Sequence, residues 1–190
     1  MTNNDLDKIV NHLSANPGRI VITSHKNPDG DAIGSSLALY EYLRMKKHEV
    51  KVIIPNSAPA FLTWLPNSEH IIIYQDDAKL AQKVINESQT LFSLDYNAMH
   101  RAGDMKDVLE KFEGTKILID HHLEPSNIFD LMYSTTKTSS TSELIYDLIE
   151  RSGDVELLAQ APQKPASFLT ITGGMFASLI GCHCQVPCVS

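Results

Sequence analysis

Acidic and histidine side chains gather at three points of this sequence, each directly after a run of apolar residues. In chain order these groups are His25, Asp29 and Asp31, then Asp95 alone, then the triplet Asp120, His121 and His122. Hard divalent cations prefer carboxylates, and Mn²⁺, Fe²⁺, Co²⁺ and Zn²⁺ also accept imidazole. A mixed set without thiolates fits a pair of catalytic ions better than a structural zinc. Because two ions about 3.5–4 Å apart clamp the oxygens of a phosphoryl group, the residue types indicate metal-assisted phosphoryl chemistry.

Alternating strand and helix patterns must position these groups. Short apolar and β-branched runs predict strands at residues 19–23, 50–55, 90–94 and 116–119, with further candidates at 71–74 and 129–133. Helical spacing of apolar residues predicts helices near residues 6–13, 32–47, 77–86, 104–112 and 139–151. This alternation predicts an α/β fold with a parallel sheet and helices on both faces. Ligands of such sheets bind beyond the carboxyl ends of the strands, so we expect the three groups at one edge.

Local features near these groups allow both structural and functional interpretations. The helix that follows Asp31 would direct the partial positive charge of its N-terminus towards a phosphate. Ser140 and Glu143 have the spacing of a capping box at the start of the last helix. Alone, an Asp after a strand is often an N-cap, and Asn27-Pro28-Asp29-Gly30 is typical of a turn. The convergence of three groups at one edge favours the metal site over these simpler explanations.

The charge balance and apolar content limit the classes of function. The net charge is -7, with 16 basic and 23 acidic residues and no dense basic run, which disfavours binding of long nucleic acids. Bound cations invert the local field, so an acidic protein can still take phosphates. The N-terminus lacks the apolar segment of a secretory signal, and no apolar run approaches the roughly 20 residues that span a bilayer. We therefore predict a cytoplasmic protein that does not enter membranes.

Three segments of the sequence resemble motifs of one enzyme family. Residues 24–35, Ser-His-Lys-Asn-Pro-Asp-Gly-Asp-Ala-Ile-Gly-Ser, resemble the first motif of the DHH phosphoesterases, and residues 120–122 resemble the name-giving third motif. Asp95 stands where the second motif has its Asp. Residues 139–144, Ser-Ser-Thr-Ser-Glu-Leu, resemble the branch that acts on short RNA oligonucleotides and on 3'-phosphoadenosine 5'-phosphate (pAp). The resemblance covers residues 1–155 and implies the fold of the family's N-terminal domain.

The resemblance also implies a set of metal ligands for two Mn²⁺ ions, with Mg²⁺ or Co²⁺ as substitutes. His25 and Asp29 would hold one ion. Asp31 would serve the other ion or bridge the two, and Asp95 would bridge both. His121 would be a further ligand. These five residues are thus the expected catalytic centre together with His122.

His122 and three other residues are expected, by the same resemblance, to support the substrate or the ligands. His122 would meet the scissile phosphate or the leaving group. Asp120 would orient an imidazole as an outer partner of the metal site. Asn27 and Arg101 would assist with phosphate contacts. These roles complete the set of candidate site residues.

The family resemblance leaves several substrates open. The branch implied by residues 139–144 would cut short oligoribonucleotides from an end or remove a phosphate from pAp. Exopolyphosphatase, inorganic pyrophosphatase and cyclic dinucleotide phosphodiesterase activities of the family share the same site chemistry. Relatives pair as dimers, so the resemblance also leaves a homodimer open.

The C-terminal segment departs from the family pattern. DHH proteins of this branch continue with a fourth-motif Asp and a smaller substrate domain, and neither is visible in this sequence. No acidic residue follows Glu156, and all three cysteines fall within the last part of the chain. We predict a metal phosphoesterase domain at residues 1–155 with the substrate domain missing, and an atypical tail at residues 156–190. The tail would be disordered or non-native, as after a frameshift, and the chain could then bind metal or nucleotide with impaired catalysis.

Overall fold

The sheet that organises the chain consists of parallel strands, as the alternating pattern predicts. The structure is a computed structural model that describes residues 3–158. Its strands are β1 (Arg19–Thr23), β2 (Glu49–Ile54), β3 (Ile72–Ile73), β4 (Thr90–Leu94), β5 (Thr115–Asp120) and β6 (Leu131–Ser134). The order across the sheet is β3-β2-β1-β4-β5-β6, and every neighbouring pair is parallel. All six predicted strands are present, with ends shifted by at most two residues.

Helices cover both faces of this sheet. They are α1 (Asn3–Ala15), α2 (Gly30–Met45), α3 (Ala78–Glu87), α4 (Lys106–Glu110), α5 (Thr141–Arg151) and α6 (Val155–Leu158). Apolar residues of α1, α2 and α5 form one buried cluster with the sheet, and those of α3 and α4 form a second cluster on the opposite face. The central strands are therefore buried on both sides, which explains why β1 and β4 carry apolar residues on both faces and do not alternate strictly. The predicted α/β fold with helices on both faces is confirmed.

The predicted helix at residues 104–112 is wrong in its first part. A 3₁₀ helix spans Met99–Met105, and regular helix begins only with α4 at Lys106. Gly103 interrupts the helical backbone with φ 58° and ψ −129°, a conformation open mainly to glycine. A β-carbon at Gly103 would lie 2.9 Å from Cδ of Lys26, so glycine also permits the 3₁₀ segment to approach the loop after β1.

The predicted domain boundary falls near the end of the described residues. Residue 155 is the first residue of α6, and residues 159–190 lie outside the part of the chain that the structure describes. The atypical tail therefore stays a prediction. Within residues 3–158, no helix has the length and apolar character needed to cross a membrane.

A buried tyrosine ties together the two strands that lead into the site. Tyr96 is fully buried just after β4, and its hydroxyl lies 2.8 Å from Thr23 Oγ1 on β1 and donates to Ser93 Oγ at 2.8 Å. Burial raises the pKa of Tyr96 to about 12, so the hydroxyl keeps its proton. The Thr23 hydroxyl in turn donates to the Phe92 carbonyl.

We expect Tyr96→Phe to lower the free energy of unfolding by about 1–2 kcal/mol, because two buried hydroxyls lose a partner. Urea unfolding of the full chain in EDTA would measure this change. Tyr40→Phe is the matched control, since the Tyr40 hydroxyl makes no hydrogen bond to the described residues and its loss should leave the urea midpoint unchanged. Equal midpoints for the two variants would contradict the expectation.

Candidate metal centre

The three predicted groups meet at the carboxyl edge of the sheet. β1, β4 and β5 are consecutive neighbours in the sheet and run in the same direction. The loop after β1 carries the first group, Asp95 follows β4 directly, and Asp120 is the last residue of β5. The structure therefore brings the predicted acidic and histidine residues into one cluster.

Asp95 lies at the centre of this cluster. Its side chain is 3% exposed, and its Oδ2 lies 3.5 Å from His25 Nε2 while its Oδ1 lies 3.3 Å from His121 Nε2. The backbone of Asp95 has φ 64°, a left-handed conformation that is uncommon for residues other than glycine and that Asp and Asn tolerate best. The two carboxylate oxygens thus face two different histidines.

Two groups of potential ligands share Asp95. The first comprises His25, Asp29 and Asp95, and the second comprises Asp95, His121 and His122. Within each group the ligand atoms lie within 4.8 Å of one another, a spacing that one metal ion can serve. A carboxylate shared by two such groups can contact both members of a pair of ions.

The imidazole of His25 is oriented by the backbone. Its Nδ1 lies 2.9 Å from the Lys26 carbonyl oxygen, so Nδ1 carries the proton and donates to that oxygen. The hydrogen bond of Nε2 with Asp95 raises the pKa of His25, and burial acts in the opposite direction. When Nε2 loses its proton, Nδ1 keeps the hydrogen bond to Lys26, and Nε2 is the nitrogen that can bind an ion.

Asp29 has both a structural and a potential ligand role. Its Oδ1 accepts hydrogen bonds from the backbone N–H groups of Asp31 at 2.9 Å and Ala32 at 3.1 Å, so Asp29 is the N-cap of α2. The Asp29 carboxylate therefore occupies these two N–H groups, and the expected effect of the helix charge on a phosphate stays a prediction. Oδ2 of Asp29 accepts no hydrogen bond from the described residues and stays available to an ion.

Asp31 is held by the first turn of α5. Its Oδ2 accepts from Thr141 N at 2.7 Å, and its Oδ1 accepts from Ser142 N at 3.0 Å and from Ser142 Oγ at 2.7 Å. The same Oδ2 lies 3.8 Å from His121 Nε2. Burial and the negative charge of Asp95 raise the pKa of Asp31, and the bonds from α5 partly offset that rise.

The third group divides into a ligand candidate and a hydrogen-bonded pair. His121 Nε2 faces both Asp95 and Asp31, as a ligand between them would. His122 Nδ1 lies 2.7 Å from Asp120 Oδ1, and His122 N donates to Asp120 Oδ2 at 3.2 Å. Asp120 is fully buried, so its carboxylate fixes the His122 ring and leaves Nε2 as the free nitrogen.

The cluster fits divalent cations in its charge as well as its donors. Asp31, Asp95 and Asp120 are buried wholly or in large part, and no Lys or Arg among residues 3–158 forms an ion pair with them. Buried carboxylates without a cation are costly, and histidines compensate only while protonated. Carboxylate oxygens with imidazole nitrogens suit Mn²⁺ and related ions. The donor set therefore fits the metal pair that the sequence predicts.

Asn27 lies in the loop that carries the first group, and the backbone of Arg101 contacts that loop. The Asn27 backbone, at φ 56°, donates from N to Asn56 Oδ1 at 2.8 Å, and the Asn56 amide donates back to Asn27 Oδ1 at 3.2 Å. The carbonyl oxygen of Arg101 accepts from Lys26 N at 2.7 Å. The Arg101 side chain is exposed and makes no hydrogen bond or ion pair with the described residues, so its guanidinium is free to meet a ligand.

Three residues that the sequence interpretation missed also shape the site: Asn56, Thr141 and Ser142. The segment before α5 was predicted to form a capping box, and half of that prediction is right, since Ser140 Oγ accepts from Glu143 N at 3.2 Å. The Glu143 carboxylate, however, accepts from Thr138 Oγ1 and does not return to Ser140 N. No local pattern showed that this segment would also bind Asp31.

Comparisons with known proteins agree with the fold and identify its family. A sequence profile of the DHH family N-terminal domain matches residues 19–172. A parallel sheet with an Asp/His cluster at its carboxyl edge identifies the protein as an α/β protein with a candidate metal centre. The matching profile then identifies its family. The chain belongs to the DHH family.

Relatives within the family are named for two activities. The bifunctional oligoribonuclease and PAP phosphatase NrnA of Thermus thermophilus is 34% identical over 162 residues, which cover 85% of this chain and 45% of the relative. The probable bifunctional oligoribonuclease and PAP phosphatase NrnA of Streptococcus mutans is 28% identical over 128 residues, covering 67% of this chain and 37% of that protein. These relatives place the chain near the oligoribonuclease and PAP phosphatase branch.

A solved structure shares the fold. The exopolyphosphatase-related protein of Bacteroides fragilis superposes with a TM-score of 0.82 and 38% sequence identity, covering 91% of this chain and 51% of that chain. The chain thus spans about half the length, or less, of the proteins it matches.

Proposed function

We propose that this chain carries the metal-binding domain, residues 1–155, of a DHH phosphoesterase that hydrolyses short oligoribonucleotides, pAp or both with two Mn²⁺ ions. The observation that supports this proposal most strongly is the position of Asp95, whose two oxygens face the two histidine-containing ligand groups. The names of the similar proteins supply the substrate class.

The candidate ligands divide between two ions. His25 and Asp29 would hold one ion, Asp31 and His121 the other, and Asp95 would contact both. When bound, the ions would supply an activated water and neutralise charge on the phosphoryl oxygens. Mg²⁺ or Co²⁺ would serve the same oxygen and imidazole donors as substitutes.

A residue of the chain itself would protonate the leaving group. His122 is held through Nδ1 by the buried Asp120 carboxylate, which fixes the ring and leaves Nε2 unbound. Its Nε2 is then the atom that delivers a proton to the departing oxygen. Asn27 and Arg101 would contact the phosphate that is cleaved or a neighbouring one.

Two alternative functions follow from specific observations. The similarity to an exopolyphosphatase-related structure keeps polyphosphate as a candidate substrate, because the site chemistry is the same. The second alternative is a chain that binds metal and nucleotide through this cluster but turns over little, since substrate positioning alone contributes several orders of magnitude to rates.

A substrate panel separates these functions. The full chain with Mn²⁺ is expected to release phosphate from pAp or mononucleotide from a short RNA, and to leave polyphosphate, pyrophosphate and a cyclic dinucleotide unchanged. Asp29→Ala removes a candidate ligand and should reduce release from every substrate that the parent chain cleaves. Release that persists in Asp29→Ala would come from a contaminating hydrolase. Preferential release of phosphate from polyphosphate would favour exopolyphosphatase activity. Mn²⁺ binding without release from any substrate would favour a chain that binds metal and nucleotide but does not hydrolyse.

A further inference from the structure

The first turn of α5 donates hydrogen bonds to two of the candidate metal ligands. Thr141 N, Ser142 N and Ser142 Oγ all donate to Asp31, at 2.7, 3.0 and 2.7 Å. Thr141 Oγ1 donates to Asp95 Oδ1 at 3.0 Å. Four donors from two adjacent residues therefore converge on the two carboxylates that lie nearest His121.

Each of these bonds restricts which carboxylate oxygen can meet an ion. Oδ1 of Asp31 accepts two bonds from Ser142, whereas Oδ2 accepts only one, from Thr141 N, and also faces His121, so Oδ2 is the oxygen with capacity left for an ion. The Thr141 hydroxyl fixes Oδ1 of Asp95 towards His121, and Oδ2 then faces His25. The orientation that lets Asp95 serve both ligand groups is thus set by a residue of another element.

Burial and helix packing fix the positions of the Thr141 and Ser142 side chains. Thr141 is fully buried and Ser142 is 2% exposed, and α5 packs against α2, the helix that carries Asp31. Buried hydroxyls have few rotamers and few competing waters, so their direction is constant. Outer partners of this kind commonly tune metal affinity.

We infer that Thr141 and Ser142 are positioning residues that orient Asp95 and Asp31 for the metal pair. The inference rests on the proposed function, since it concerns the same ions. A purely structural role would be different in kind: Asp31 would then simply satisfy the free N–H groups at the start of α5, and the hydroxyls would affect stability alone.

Mn²⁺ affinity and thermal stability distinguish the two roles. We expect Thr141→Val and Ser142→Ala to weaken Mn²⁺ binding by about 10–100-fold in calorimetric titration of the full chain. Thr141→Ser keeps the hydroxyl and should restore affinity close to that of the parent. Melting temperatures in EDTA show whether each variant is folded.

Ser140→Ala is the matched control. Ser140 caps the same helix through Glu143 N but touches neither carboxylate, so its loss should lower the melting temperature and leave Mn²⁺ affinity unchanged. If Thr141→Val and Ser142→Ala behave like Ser140→Ala, the positioning role is overturned while the proposed function stands. A parent chain that binds no Mn²⁺ overturns the proposed function and the positioning role together.

Discussion

Replacing Asp95 with Asn is expected to lower Mn²⁺-dependent hydrolysis by on the order of 10³-fold or more, because both ions lose a charged ligand in one substitution. The Asn amide has nearly the shape of the carboxylate, and Asn is among the residues that tolerate the φ of 64° found at this position. The loss should therefore come from the missing charge and not from unfolding.

Rates with pAp or short RNA, together with a Mn²⁺ titration of the same samples, test this expectation. Asp107→Asn is the control, since it removes the same charge from an exposed position on α4 and should change neither quantity. Asp95→Asn with parental turnover and parental Mn²⁺ binding would remove Asp95 from the centre of the site.

The second large effect is expected at His122. We expect His122→Gln to lower kcat by about 10²–10⁴-fold while Mn²⁺ affinity stays as in the parent, because the residue would donate a proton rather than hold an ion. The hydrogen bond from His122 Nδ1 to buried Asp120 supports this division of roles. A substrate with a p-nitrophenol leaving group needs little protonation, so the defect of His122→Gln should shrink with it.

The geometry also allows His122 to be a metal ligand instead of a proton donor. His122 belongs to the ligand group that contains Asp95 and His121. A marked loss of Mn²⁺ affinity in His122→Gln, with an equal loss of rate for both leaving groups, would make His122 a ligand and would leave the proton donor elsewhere.

The strand ends were predictable from the sequence for a simple physical reason. A buried parallel strand must be apolar on both faces, so the first Asp or His after such a run marks its end. β1, β4 and β5 each follow this rule, and their neighbouring places in the sheet bring the three groups together. Convergence of His25, Asp95 and His121 therefore needed no tertiary information beyond the parallel order.

The support of the site was not predictable in this way. Thr141 and Ser142 meet Asp31 across a separation of 110 and 111 residues, and neither has a neighbour in sequence that indicates the contact. Gly103 shows a related case: helical spacing predicted a helix that begins at residue 104, but a 3₁₀ helix already spans Met99–Met105, and the close approach of Gly103 to Lys26 requires a backbone that glycine adopts easily. Long-range contacts decided both positions.

The most direct test of the two-metal account is electron paramagnetic resonance of the full chain titrated with Mn²⁺. The shared position of Asp95 predicts two ions per chain whose spectra are exchange-coupled, and it predicts that Asp95→Asn abolishes the coupling. A single uncoupled ion per chain, with the same spectrum in Asp95→Asn, would contradict the account.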